Sequence, residues 1–324
     1  MPVVDIHTHL ASPEWFDLLK KHGGRYDVRE IGEGKIAIFA DGHAFGLLHP
    51  KLFDRDARIA EMDEAGVDIS LLSLTTPGVV WGPQEVSEHA ACISNDCLAA
   101  AQDAHPDRLR WLATLPMQYP GAALAELTRA CDAGAVGVLI GANVDDLPLT
   151  DPRFAEIWSE IDRRGLPVIV HPTVPPGAAH MTLDQYHLIA MVGFVVDTTL
   201  AAARMIFDGF LDRYPNLKLI VPHAGGTLPY LAGRLDNGYR LLPALSEHIS
   251  EPPSAYLGRL YYDDALSRSD AIGLCRAVCG DGHLLHGSDY PFVEPGRSLG
   301  WTSELKGAEK EAILGGNAAA LFGL

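Results

Sequence analysis

Eight short apolar runs recur along this 324-residue chain with helix-periodic stretches between them, and no other feature restricts its fold as much. After the opening VVDIHTHL come DISLLSL at 68–74, LRWLATLP at 109–116, AVGVLIGA at 135–142 and LPVIVHP at 166–172. LKLIVPHAGG at 217–226, GRLYYDDAL at 258–266 and HLLHGSDYP at 283–291 complete the set. Strands buried on both faces read as such nearly continuous apolar runs, and intervening helices make their sheet parallel. The count and the length predict a (β/α)8 TIM barrel. A doubly wound open sheet is the alternative, but its glycine-rich phosphate turn is missing, because HTHLASPE follows the first strand. No composition shift, linker or repeat beyond the alternation divides the chain, so one domain over 1–324 is expected. Its one irregular stretch, about 12–50, contains RYDVREIGEGKIAIFADG, whose alternation around Gly32 and Gly34 predicts a small N-terminal β-hairpin insertion.

Charge and apolar patterning exclude several classes of function. A formal charge of −17 with no basic run argues against nucleic acid and anionic membranes as partners. The most apolar long segment, 188–207, contains Asp197 and Arg204 and reads as a buried or interface helix, so no membrane span is expected. No signal peptide is visible ahead of the first strand, which makes cytoplasmic the expected location. The cysteines at 92, 97, 131, 275 and 279 form no C-x-x-C clamp and read as reduced core residues. A small-molecule enzyme is the class that remains.

Barrel enzymes carry their chemistry at the C-terminal ends of the strands, which directs attention to the polar residues there. His7 and His9 end the first run, His171 the fifth, His223 the sixth and Asp289 the eighth. Singly, His171 could mark a turn before Pro172, and Asp289 could cap a loop beside Pro291. As a set, imidazoles and a carboxylate at one barrel mouth suit Zn²⁺ or another borderline divalent ion, with a position left open for water or substrate.

D-x-H-x-H at the first strand, H-P after the fifth, H-A-G-G after the sixth and G-S-D-Y-P-F at the eighth resemble the amidohydrolase superfamily. The likeness is to its amidohydrolase-related branch, which includes the aminocarboxymuconate-semialdehyde, γ-resorcylate and 5-carboxyvanillate decarboxylases. It extends to RIAEMDEAGVD at 58–68, YPNLKLIVPHAGG at 214–226, LAGRLDN at 231–237 and GNAAALFGL at 316–324. The resemblance implies that His7, His9, His171 and Asp289 hold the metal, with His223 and Asp289 as the catalytic pair. It also implies one metal ion per chain, zinc first and manganese second, since VLIGAN offers no lysine at the fourth strand end. The implied reaction is non-oxidative decarboxylation of a small aromatic or enol carboxylic acid. Hydrolysis or hydration by an activated water is the alternative that the same residues would serve.

Two departures from the branch bear on substrate. An arginine expected in the insertion is absent from GHAFGLLHPKLFD, leaving Phe45, His49 or Lys51 to serve, and Thr173 stands where a tryptophan is expected. Phe292 is expected to pack on a planar substrate. Arg234, within LAGRLDN, is expected either to pair with Asp236 or Asp197, or to reach the substrate of a neighbouring subunit in a homodimer or larger homo-oligomer. Asp5 shares the register of His7 and His9 one layer deeper, and a supporting role is expected for it.

Overall fold

The structure, a computed structural model, describes residues 1–32, 35–265 and 268–324. Gly34 of the expected hairpin and Leu266 at the end of the seventh apolar run lie outside the described residues. Eight parallel strands form one sheet in chain order: β1 (Val4–His9), β2 (Ile69–Ser73), β3 (Leu109–Thr114), β4 (Gly137–Gly141), β5 (Pro167–His171), β6 (Lys218–Val221), β7 (Tyr261–Asp263) and β8 (Leu284–Leu285). The last strand returns to the first, with the Ile6 N–H donating to the His286 carbonyl at 3.0 Å and the His9 N–H to the Tyr290 carbonyl at 2.8 Å. This is the TIM barrel that the alternation predicted.

The apolar runs divide between two cores because successive strand side chains face opposite ways. Ile6, Leu71, Leu112, Leu139, Ile169, Ile220 and Leu285 pack together inside the barrel, and Phe322 closes its lower end. Their neighbours Leu72, Trp111, Val138, Val168 and Leu219 belong to the larger core beneath the helices. Helix ends follow local chemistry: Asp54 caps Arg55–Ala65 by accepting from the Ala57 N–H at 2.9 Å, and Gly66 ends it at φ 73°.

The insertion is larger than a hairpin. Pro13–His22 is a helix capped by Ser12, and Tyr26–Glu30, Ile36–Ala40 and His43–Leu48 form a three-stranded antiparallel sheet. The helix buries Trp15, Phe16 and Leu19 on one face, a signal overshadowed in the sequence by the alternation that follows. Residues 185–207 form one helical run long and apolar enough to cross a membrane by length and composition, but half of it is buried in the protein and Asp197 lies inside.

Candidate metal centre and active site

His7 and His9 close β1, where pairing with β2 shifts register between Asp5 and Thr8. His171 is the last residue of β5, while His223 and Asp289 follow β6 and β8 at φ 58° and 67°. Side chains of this size seldom hold positive φ without support from their surroundings. The support is visible: Asp263, at the end of β7, accepts the His223 N–H at 2.7 Å, and the Asp289 N–H donates to the His7 carbonyl at 2.9 Å. At Gly287 the chain passes so close to β1 that a Cβ would stand 2.8 Å from that of His7. Only glycine fits there.

One ligand atom from each of His7, His9, His171 and Asp289 lies within 4.8 Å of the others, and all four residues are buried. The three rings stand edge-on, with centroids 4.9–5.1 Å apart. Their hydrogen bonds fix the tautomers. His7 Nδ1 donates to Asp263 Oδ2 at 2.8 Å, and His171 Nδ1 to the Pro172 carbonyl at 2.9 Å. The Ser73 hydroxyl spends its proton on the Thr8 carbonyl, so at 3.1 Å it accepts from His9 Nδ1. Each Nε2 therefore turns a bare lone pair toward the common centre. Asp289 Oδ1 lies there too, 3.1 Å from His9 Nε2 and 3.4 Å from His7 Nε2.

Lone pairs facing a carboxylate repel unless a cation or a proton stands between them. His7 Nε2 is buried with no hydrogen-bond partner, as expected of an atom that awaits such a cation. With protons alone to fill the gap, the charges sort unevenly. Burial would lower His7, but Asp263 and Asp289 outweigh it and hold the ring at about 9. His9 is pushed down to about 4 by burial, partly offset by Asp289, and His171 falls well below its ordinary value through burial and the other two rings. Burial opposes ionisation of Asp289, yet His223 and His7 keep it well below the usual carboxylate range. The donor set fits a divalent ion.

His223 stands beyond this cluster, its Nε2 3.7 Å from Asp289 Oδ2 and its Nδ1 buried without a partner. Beneath lies a second polar layer. Asp264 accepts from the Gly287 N–H at 2.8 Å, from Trp301 Nε1 at 2.7 Å and from His286 Nδ1 at 3.1 Å. Burial works against the charge on His286, but Asp264 and Asp5 raise the ring to about 9. Asp5 accepts the Ser288 N–H at 2.9 Å and the His7 N–H at 3.2 Å, tying β1 to the loop that carries Asp289. Asp263, Asp264 and His286 were not among the residues singled out from the sequence. The signal was present in the pair of acids ending YYDDA and the histidine of LLHGSD.

The remaining expected residues scatter. Thr173 lines the pocket beside His171, its N–H donating to Asp197 at 3.0 Å and its hydroxyl accepting from Thr76 at 3.2 Å. Phe292 is 44% exposed with its ring 6.1 Å from that of His9. Phe45 is buried between Tyr26 and Phe194. The His49 ring accepts the Lys51 N–H at 3.2 Å, and Lys51 itself pairs with Glu61. Arg234 lies exposed on the helix Leu228–Leu241, whereas Asp236 accepts the Ser254 N–H and Asp197 holds Asn143 and Thr173. The pairing expected between Arg234 and either acid is not formed.

A family model described as Amidohydrolase matches residues 4–324. The chain is 33% identical to 2-amino-3-carboxymuconate-6-semialdehyde decarboxylase of Dictyostelium discoideum, over 99% of this chain and 91% of that protein. Its fold superposes on 5-carboxyvanillate decarboxylase from Sphingomonas paucimobilis with a TM-score of 0.87 at 25% identity, covering 100% of this chain and 99% of that one. Dihydroxybenzoic acid decarboxylase from a Polaromonas species, solved with manganese and the inhibitor 2-nitroresorcinol, matches with a TM-score of 0.81 at 24% identity, over 100% and 97% of the two chains.

Proposed function

The chain belongs to the amidohydrolase family, and on that premise we propose that it is a metal-dependent, non-oxidative decarboxylase of a small aromatic or enol carboxylic acid. The observation that carries this reading is the convergence of three bare imidazole Nε2 atoms on the Asp289 carboxylate, with His223 beyond it. His7, His9, His171 and Asp289 would hold one divalent ion, which supplies a charge centre able to bind and orient the substrate carboxylate and a neighbouring oxygen. Three imidazoles and a carboxylate favour zinc, and the manganese in the Polaromonas enzyme makes it the second candidate.

The protein's own residues then have distinct tasks. Asp263 fixes the His7 tautomer and, through the His223 N–H, the place of the His223 imidazole. Asp289 is held ionised, so the proton for carbon falls to His223, whose ring stands beyond the cluster with Nε2 3.7 Å from Asp289 Oδ2. As the ring or enol carbon accepts that proton, the bond to the carboxylate breaks and its electron pair restores the conjugated system. The balance is RCOO⁻ + H⁺ → RH + CO₂, with no oxidant required. Thr173 and Phe292 are the substrate contacts best supported by their positions, with Phe45 acting behind Tyr26 and His49 shaping the insertion's exit.

A homodimer is part of the same reading. Arg234, with no ion-pair partner among the described residues, shares its helix with Tyr230 and Leu241, exposed by 80% and 77%, and Met191 and Val192 are exposed on the apolar segment 185–207. Five free cysteines accord with the reducing cytoplasm. The test is incubation of metal-loaded protein with hydroxybenzoates and muconate semialdehydes. CO₂ release equal to acid consumed is expected, whereas turnover of esters, lactones or amides without CO₂ would replace this reading with a hydrolase.

A further inference from the structure

The barrel mouth beside His171 continues into a pocket whose lining includes Arg25, Tyr26, Thr76, Thr173 and Asp145. Arg25 is the one lysine or arginine among the described lining residues, and its charge is already engaged. Its Nε reaches Asp41 Oδ2 at 3.0 Å and its Nη1 reaches Asp146 Oδ2 at 3.1 Å, with Asp145 Oδ1 at 3.7 Å. These acids sit on two separate turns, Asp41 at φ 50° in the insertion sheet, and Asp145 and Asp146 at φ 50° and 65° after β4. The arginine thus clamps the insertion to the barrel. One cation among three carboxylates leaves the rim negative, and the chain's charge of −17 adds to that field.

Apart from His171 of the metal cluster and Asp145, the rest of the polar side-chain wall among the described residues is neutral, the Asn143 amide and the hydroxyls of Tyr26 and four threonines. Tyr26 lies against Thr173, and Thr76 donates to Thr173 at 3.2 Å. Such a wall satisfies a phenol, an alkoxy group or a carbonyl, and offers an anion no counter-charge. Resting on the decarboxylase reading above, we infer that the substrate is a monocarboxylate. Its single carboxylate goes to the metal centre, an uncharged hydrogen-bonding substituent faces Tyr26, Thr76 and Thr173, and the Arg25 clamp turns away acids with a second carboxylate on that side.

Binding of two unreactive ligands to the metal-loaded full chain tests this without reading turnover. In 2-nitroresorcinol and in 3-methoxy-4-hydroxy-5-nitrobenzoate a nitro group stands in for the departing carboxylate, and only the second keeps another carboxylate. Calorimetry should give 2-nitroresorcinol at least about tenfold tighter binding, a gap that narrows as salt screens the rim. In the Asp41→Asn/Asp146→Asn variant, which releases Arg25, the nitrobenzoate alone should gain about tenfold. Equal or tighter binding of the nitrobenzoate by the unaltered protein overturns the inference, whether its counter-charge comes from Arg25 or from Arg234 of a second copy. A salt-independent gap overturns it as well, and neither measurement depends on the variant folding. Absence of CO₂ release in the separate assay would count against the decarboxylase reading alone.

Discussion

At the scale of single residues, Asp263 does the most with one side chain, since it accepts from His7 Nδ1 and from the His223 N–H at once. Replacing it with Asn leaves the shape but removes the charge that fixes the His7 tautomer. Affinity for the metal should fall about 10–100-fold, measured by competition with a chelator. His223→Gln should behave differently, keeping one equivalent of metal while CO₂ release drops about 10²–10⁴-fold. Parallel losses of metal from both variants would place His223 among the ligands. The histidines and Asp289 were legible in the sequence because each follows an apolar run. Asp263 and Asp264 were hidden because they sit inside such a run, where the pattern reads as strand, and His286 because its partner is 22 residues away.

At the scale of elements, the helix Phe194–Phe207 locks two strand-end loops together through Asp197, which accepts from Asn143 after β4 and from Thr173 after β5. Burial raises this carboxyl to about 6, against the pull of the Thr173 N–H and Asn143. A folded-state pKa above the unfolded one gives stability that is present below about pH 4 and lost as pH rises through about 6. Asp197→Asn does not titrate, so between about pH 3 and 7 the native protein should lose roughly 3 kcal/mol relative to the variant in denaturant melts. A difference that stays flat with pH would show that Asp197 ionises normally. The insertion exposes the limit of periodicity at this scale. A strand alternation at 26–30 and 36–40 was readable, but the helix at 13–22 carries only one short apolar face, Trp15, Phe16 and Leu19, which the stronger alternation after it overshadowed.

At the scale of the whole molecule, the number of strands and their parallel order were legible, because each βα unit announces itself. Closure followed from that count and the chain's length, but the backbone bonds that make it, between residues 6–9 and 286–290 at opposite ends of the chain, could not be read from the sequence. The surface carries its own consequence: Tyr230 and Leu241, each more than three-quarters exposed, flank Arg234. Sedimentation should show a dimer at micromolar concentration, and Tyr230→Asp with Leu241→Asp should give monomers. Arg234→Ala should remain dimeric and raise KM, whereas a native monomer with full activity would remove the arginine from the site. In the decarboxylase reading a proton, and not water, replaces what leaves the substrate. Turnover of a hydroxybenzoate by metal-loaded protein in doubly labelled water, D₂¹⁸O, tests it most directly. One deuterium on the carbon that bore the carboxylate, with no ¹⁸O in the organic product, is the predicted result, and ¹⁸O in that product without loss of CO₂ would contradict it.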